Sequence, residues 1–389
     1  MAATLAPATG RQRARTRGLP IFAVIVFAIS ILPPVFMLLP QSYDAEPVQE
    51  LRPLAPAPGH WQGSWLNADG NFQLAQKWFN DHVGLRNFMI RAKNEVDYRL
   101  FRTSSRVYFG HHGMIFSRSI ADLEIPGSER ALGAPGEVEA IHQGILRFTE
   151  QLQSEGITPI YLFPYMKQYF YGNNLPAIAP KLGFPTYFQQ LNQELQADPR
   201  LHVMDTYTPV LPTNKPYPTY MLQDFHWTDA AAFTIARTIV GEISKLEGRP
   251  HNVWTHPLET LTLPRVGSEA RFSARLFMPP ASQSGEIKPT YRKRPETQFN
   301  PKTTGIEYET DMLADPALLP PTCLFGNSFS DQLTYAGLPV YFQQLIHLNR
   351  EGPILDAPRV CKGKCKYLIV QILDIQPWLL ASFANVPGS

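Results

Sequence analysis

The spacing of apolar residues predicts helices in four parts of the chain. Between residues 72 and 101 apolar positions recur at helical spacing, and the polar stretch 81–86 divides this pattern into two helices. Amphipathic patterns predict further helices over 137–155, 185–195 and 229–246. Each of these helices has one apolar side that must be buried against a neighbouring surface.

Short apolar runs predict strands between these helices. The runs cover residues 157–164, 202–205, 322–325 and 367–373. A hairpin is predicted over 107–116, and one more helix is predicted through 342–346. The alternation of strands and helices favours an α/β fold, in which a mainly parallel sheet is flanked by helices.

The same patterning suggests how the chain is divided. Residues 41–71 are predicted to be a linker, because residues 46–59 within them are rich in proline and alanine. Residues 72–389 form one predicted domain. Within it, residues 251–319 combine many prolines and polar residues with weak periodicity, so we expect an inserted excursion there.

The N-terminus has the pattern of a membrane anchor. Residues 1–20 are basic, and residues 21–40 carry no charged side chain and are long enough, at about 1.5 Å per residue, to cross most of a bilayer. The preceding arginines predict a cytoplasmic tail, an uncleaved signal anchor and a body in the periplasm or outside the cell. Because Pro33 and Pro34 interrupt the run, a cleaved secretory signal and a buried helix remain alternatives.

Composition and charge exclude some classes of function. The net charge is +2, and no basic patch interleaved with aromatic residues is present, so nucleic acid is not an expected partner. The body contains no P-loop or dinucleotide-binding glycine motif, and no cofactor is expected.

The chain has three cysteines, Cys323, Cys361 and Cys365. The last two flank a turn-like Lys-Gly-Lys and could form a local disulfide outside the cytoplasm. A structural zinc site needs four ligands, and the sequence offers no second cysteine pair, so no metal site is expected.

One candidate nucleophile lies where an apolar run ends. The run 322–325 is followed by Gly326, Asn327 and Ser328, which is typical of a buried strand that stops at a tight turn. Such a turn exposes the Ser328 hydroxyl and points its backbone N–H toward a developing oxyanion. Ser330 is a rival nucleophile, but it does not directly follow the Gly-Asn turn.

A serine nucleophile needs a base and a group that orients the base. Asp224 and His226 are two residues apart in an extended segment, so both side chains lie on one side of it. The aspartate can fix the imidazole tautomer while the histidine accepts the serine proton. The alternative is a structural one, in which Asp224 and Asp229 are helix caps and His226 is a surface residue. His111 and His112 are expected to be surface residues at a loop tip.

These motifs together resemble the SGNH hydrolase-like alginate O-acetyltransferases of the AlgX and AlgJ type. The stretch 223–228 (QDFHWT) is similar to the family's Asp-x-His-Trp-Thr, and 326–330 (GNSFS) to its Gly-Asp-Ser-Phe-Ser. The early stretch 79–86, the hairpin 110–116 and the Pro-x-x-Lys-like stretch 163–167 also match. The chain differs at Asn327, at Met114 and in its last strand, which reads Val-Gln-Ile-Leu-Asp-Ile-Gln.

The resemblance implies a polysaccharide O-acetyltransferase that works through an acetyl-serine. Ser328 would carry the acetyl group, His226 would act as general base and acid, and Asp224 would orient it. Gly326, Asn327, Lys167 and Tyr165 would line the oxyanion or substrate site.

The resemblance also implies partners. Because acetyl-CoA is cytoplasmic, a domain in the periplasm needs a membrane-bound O-acyltransferase to relay acetyl groups across the inner membrane. The acceptor would be an exported polysaccharide. Two rival functions remain at this point: an acetylesterase with the same three residues, and a non-catalytic polysaccharide-binding scaffold.

Overall fold

A computed structural model describes residues 11–36, 53–57, 68–122, 132, 135–181, 185–211, 217–287, 296–311 and 317–387. The chain divides into two compact units. The first comprises Met1–Phe101 and Arg275–Met278, and the second comprises Arg102–Ala274 and Pro279–Ser389.

The first unit is helical. Its helices are α1 (Arg11–Phe36), α2 (Ala68–His82) and α3 (Arg86–Val96), and a π-helical turn follows α3. Leu85, with φ of 60°, separates α2 from α3, so the predicted break over 81–86 is confirmed. In the part of the chain that the structure describes, no helix is both long and apolar enough to cross a membrane. The anchor over 21–40 is therefore not confirmed, and most of the linker over 41–71 lies outside the described residues.

The second unit begins with the predicted hairpin. Its strands β1 (Val107–Phe109) and β2 (Ile115–Ser117) pair antiparallel, and α4 (Arg118–Ala121) follows. His112 and Gly113 both have positive φ, which brings the chain back on itself between the strands. His111 and His112 are exposed at this tip, as expected.

The remaining strands are β3 (Thr158–Leu162), β4 (Val203–Met204), β5 (Thr260–Arg265), β6 (Ser282–Ile287), β7 (Glu296–Gln298), β8 (Ile306–Asp311), β9 (Thr322–Phe325), β10 (Gln344–Leu348) and β11 (Tyr367–Gln371). Seven of them form one sheet in the order β4-β3-β11-β9-β10-β8-β7. The first five strands in this order are parallel, whereas β8 is antiparallel to both its neighbours, so the sheet is mixed. Strands β9 and β11 are buried along their whole length, as expected when both faces of a sheet are covered.

Helices flank this sheet. They are α5 (Pro135–Ser154), α6 (Lys167–Tyr171), α7 (Tyr187–Ala197), α8 (Asp229–Leu246), α9 (Pro301–Thr304), α10 (Ser328–Tyr335), α11 (Ala357–Cys361) and α12 (Pro377–Phe383). Helix α5 packs against α7 and α12, where the Phe148 and Phe383 rings lie 5.2 Å apart, and α8 packs against α10. The α/β class and the sheet's parallel centre agree with the sequence patterns.

Two regions differ from the prediction or extend it. The helix predicted through 342–346 is wrong, because this segment enters strand β10 between β9 and β8. Residues Leu345–Leu348 are all buried, so their apolar pattern has no strand alternation that could distinguish it from a buried helix. The excursion over 251–319 supplies the separate hairpin of β5 and β6, and its strands β7 and β8 extend the main sheet.

Candidate active site

The candidate nucleophile stands between β9 and α10. Strand β9 ends at Phe325, and α10 begins at Ser328. A Cβ on Gly326 would lie 2.6 Å from Ser330 Cβ and 2.9 Å from Gln371 Oε1, so only glycine fits there without displacing its neighbours. Asn327 caps α10, because its side chain accepts a hydrogen bond of 2.9 Å from the Phe329 N–H.

The Ser328 hydroxyl contacts the imidazole of His226. Ser328 Oγ and His226 Nε2 are 2.7 Å apart. Among the described residues, the Ser328 backbone N–H has no hydrogen-bond partner, as is usual at the first position of a helix. This site therefore combines a hydroxyl, a base within hydrogen-bonding distance and an available backbone donor.

Asp224 completes a chain of hydrogen bonds. Its Oδ1 lies 2.7 Å from His226 Nδ1 and also accepts the His226 backbone N–H at 3.1 Å. The bond to the His226 backbone N–H closes a local turn, which allows two side chains only two residues apart to contact each other. Burial raises the pKa of Asp224, but the hydrogen bonds and charge of His226 and the N–H of Ser268 outweigh burial and hold that pKa well below its usual range. Asp224 is thus an ionised carboxylate facing the imidazole.

Aromatic rings fix the position of the imidazole. The Phe225 ring stacks on His226 with centroids 4.0 Å apart, and the Phe329 ring lies 5.3 Å away. The following residue, Trp227, is buried, and Thr228 caps α8 by accepting the Ala231 N–H at 3.2 Å. The segment that carries Asp224 and His226 is thereby attached to the core at the start of α8.

A second support comes from a part of the chain that the sequence patterns did not single out. The Ser268 N–H donates to Asp224 Oδ2 at 3.0 Å, and the Glu269 N–H donates to the Gln223 carbonyl at 3.1 Å. Gly267 packs directly on the Gln223 backbone. We call residues 267–269 the clamp, because they hold the carboxylate from the side away from His226.

The clamp also brings a buried carboxyl near the site. Glu269 is 3% exposed, and burial together with the charge of Asp224 raises its pKa to about 7, against the opposing effects of Ser273, Lys167 and His226. Glu269 Oε2 accepts no hydrogen bond within the described part of the protein.

Lys167 and Tyr165 both form hydrogen bonds with the surrounding fold. The Lys167 ammonium donates to the carbonyls of Ile115, Met221, Leu222 and Asp224 at 2.7–3.1 Å. Burial lowers the pKa of Lys167 to about 7, while Asp224 and Glu269 oppose this shift and the four carbonyls favour the protonated amine. The Tyr165 hydroxyl accepts a hydrogen bond of 2.7 Å from Asn192 in α7. Both side chains are therefore engaged with the scaffold.

Asn327 joins the nucleophile's turn to the end of the last strand. Its Nδ2 donates to Gln376 Oε1 at 2.7 Å, and its backbone N–H donates to Gln371 Oε1 at 3.3 Å. Gln376 Oε1 also accepts the Leu373 N–H at 3.1 Å. Asn327 and the end of the last strand, two of the three places where the sequence differs from the family's motifs, thus contact each other.

Ser330, the rival nucleophile, is buried. It is 3% exposed, and its hydroxyl donates to the Asn327 carbonyl at 2.6 Å. Its oxygen is committed to this bond, whereas the oxygen of Ser328 faces the histidine.

Comparison with known proteins identifies the family of this chain. The sequence model of the family described as "SGNH hydrolase-like domain, acetyltransferase AlgX" matches residues 128–348. Because this match covers more than half of the chain, the chain belongs to that family of SGNH hydrolase-like acetyltransferase domains. The resemblance stated from the motifs is confirmed.

Similar solved structures include three named proteins. The O-acetyltransferase domain of Pseudomonas putida AlgJ is 16% identical, with 72% of this chain and 100% of that chain covered and a TM-score of 0.45. Bacillus cereus PatB1 is 12% identical over 65% of this chain and 92% of that one, with a TM-score of 0.46. Pseudomonas aeruginosa AlgX is 14% identical over 73% and 64%, respectively, with a TM-score of 0.39. No curated protein matches the chain in sequence.

Proposed function

We propose that this protein is an O-acetyltransferase that carries the acetyl group on Ser328. The observation that supports this most directly is the unbroken chain of 2.7 Å contacts from Asp224 through His226 to the Ser328 hydroxyl, in a member of an acetyltransferase family.

In this proposal each group has a role in the first half-reaction. His226 Nε2 removes the Ser328 proton as Oγ attacks the acetyl carbonyl carbon of the donor. The Ser328 N–H donates to the carbonyl oxygen as it becomes negative. The tetrahedral intermediate then collapses, the bond to the leaving oxygen breaks, and His226 returns the proton to that oxygen.

The second half-reaction repeats these steps with a sugar hydroxyl. His226 removes the acceptor's proton, the acceptor oxygen attacks the acetyl-serine, and the proton returns to Ser328. Asp224 keeps the Nδ1 proton of His226 directed away from Ser328 and stabilises the imidazolium during both transfers. Because Asp224 is ionised over the physiological range, this support does not depend on pH there.

The acceptor in this proposal is an exported polysaccharide, and the donor is a membrane-bound O-acyltransferase that passes acetyl groups from the cytoplasm. The proposal includes a single-pass anchor in a bacterial inner membrane and a body in the periplasm. It rests on the family match and on the basic and apolar N-terminal pattern.

The experiment that tests transfer uses full-length protein and p-nitrophenyl acetate as donor. Acetylated oligosaccharide and free acetate are measured in the presence of candidate bacterial exopolysaccharide oligosaccharides. A transferase increases the ratio of acetylated sugar to acetate as the acceptor concentration rises, and Ser328→Ala abolishes both products. Acetate release that no acceptor diminishes would identify an esterase. Binding of the oligosaccharide without either product would identify a scaffold.

A further inference from the structure

All three cysteines of the chain meet in one cluster, away from Ser328. Cys323 is the second residue of β9, Cys361 ends α11, and Cys365 lies in the turn before β11. Their Sγ atoms all lie within 4.8 Å of one another, and all three are free cysteines. Cys323 and Cys361 are 0% exposed, while Cys365 is half-buried. In the sequence only Cys361 and Cys365 are close to each other, and the fold brings Cys323 to them.

We propose that Cys323, Cys361 and Cys365 bind one soft metal ion, Zn²⁺ or Cu⁺, through three thiolates. Sulfurs at about 2.3 Å from a tetrahedral zinc lie about 3.8 Å from one another. The three sulfurs, within 4.8 Å of one another, therefore need to approach by about 1 Å at most. A disulfide would join only two of the sulfurs, at an S–S distance of about 2.0 Å, and would leave the third cysteine as a thiol.

Charge and access at the cluster agree with a metal ion. Buried thiolates are costly unless a cation compensates them, and a metal ion supplies that charge. Lys364 is close enough to Cys361 and Cys365 to interact with them electrostatically. Because Cys365 is half-buried, a water molecule can reach the open fourth position of a zinc ion. Thiolates favour Zn²⁺ and Cu⁺ over the oxygen-binding ions Mg²⁺ and Ca²⁺.

The turn that carries Cys365 is shaped to return it to Cys361. Gly363 has φ of 70°, and the Lys364 N–H donates to the Cys361 carbonyl at 2.9 Å. Leu368 of β11 pairs with Cys323 of β9, so a metal ion here would join the starts of two neighbouring central strands to α11. Ser328 follows the opposite end of β9, so we expect the metal ion to stabilise the fold without taking part in acetyl transfer.

The test measures metal binding by the full-length protein. The reduced protein is stripped with a chelator and titrated separately with Zn²⁺ and with Cu⁺ against a chromophoric competitor. We expect one ion per chain, and we expect Cys365→Ser to weaken the binding of this ion by more than about 100-fold. Loss of a residue that only supports a metal ligand weakens binding by about 10- to 100-fold, so a larger loss indicates a direct ligand. His142→Ala is the matched control, because Glu139, His142 and Glu194 form the other group within the described residues that has metal-ligand spacing.

Three further readouts keep the test decisive if a cysteine variant folds poorly. Wild-type protein loaded with Co²⁺ should show sulfur-to-metal charge-transfer absorption of three thiolates, and bound Zn²⁺ should protect all three thiols from alkylation. Metal-loaded protein should unfold at a higher temperature, with the rate of Ser328 acetylation unchanged. The proposal is overturned if wild type retains no ion, if His142→Ala removes the ion, or if the purified protein holds a disulfide and one alkylatable thiol.

Discussion

Gly267→Ala tests the contribution of the clamp to the site. A Cβ at this position would lie 2.0 Å from the Gln223 carbonyl oxygen and 2.9 Å from the Asp224 nitrogen. Since real Cβ atoms essentially never approach closer than 3.0 Å, the two backbones must separate by about 1 Å. Both partners are backbone atoms, so no side chain can rotate to relieve the contact. The displacement falls on the segment that carries Asp224.

The expected consequence is a large loss of rate. A shift of about 1 Å in a positioning group can reduce a rate by about 100-fold, which corresponds to about 2.7 kcal/mol of transition-state stabilisation. The assay is the single-turnover rate of Ser328 acetylation by p-nitrophenyl acetate, measured by quenched-flow mass spectrometry. The unfolding temperature is recorded in parallel, so that loss of fold is distinguished from loss of position.

Gly172→Ala is the matched control for this variant. No atom lies within 4 Å of the Cβ it would add, and Gly172 has ordinary negative φ. We expect this control to acetylate at the wild-type rate. If Gly267→Ala also retains the wild-type rate, the clamp does not position Asp224, and the reasoning from its contacts is wrong.

Three other variants test the groups around the site. Lys167→Met should destabilise the protein by about 3 kcal/mol in urea unfolding, because it removes the donor shared by four carbonyls, three of them in buried hydrogen bonds; an unchanged urea midpoint would contradict this. Glu269 has a pKa of about 7 in the folded protein and an ordinary pKa of 4.5, so folding favours its protonated form. The resulting contribution to the free energy of unfolding is complete below pH 4.5 and is lost as the pH rises through 7, by about 3 kcal/mol at most. Glu269→Gln should remove this part of the pH dependence of the free energy of unfolding, and an identical slope in both proteins would show that the group does not titrate as described. Asn327→Asp keeps the cap of α10 but loses the donor to Gln376, so we expect about 1 kcal/mol of destabilisation with Ser328 reactivity retained; loss of reactivity at unchanged stability would assign Asn327 a chemical role.

The sequence was most informative where a function depends on a short local pattern. Asp224 and His226 are two residues apart, and Ser328 follows a strand through a Gly-Asn turn, so each half of the site has its own local signal. The order of helices and strands indicated that both halves lie at the edge of one α/β core. The structure brings the two halves within hydrogen-bonding distance.

The rest of the site depends on contacts that no local pattern encodes. Ser268 supports Asp224 through a backbone N–H, a group that every residue except proline possesses, so its identity gives no signal. Lys167 follows a strand, where a lysine is usually solvated, and only the fold shows that carbonyls from two distant segments surround its ammonium. The convergence of Cys323 with the other two cysteines likewise follows from the pairing of β9 with β11.

The most direct test of the central claim is the intact mass of the full-length protein after incubation with an activated acetyl ester. We expect one added acetyl group, mapped by peptide sequencing to Ser328. The label should be absent in Ser328→Ala and strongly reduced in His226→Ala. It should be retained in Ser330→Ala, because the wild-type Ser330 hydroxyl is bonded to the Asn327 carbonyl and does not face His226. A folded wild-type protein that takes up no acetyl group, or one whose label maps to another residue, would show that Ser328 is not the nucleophile.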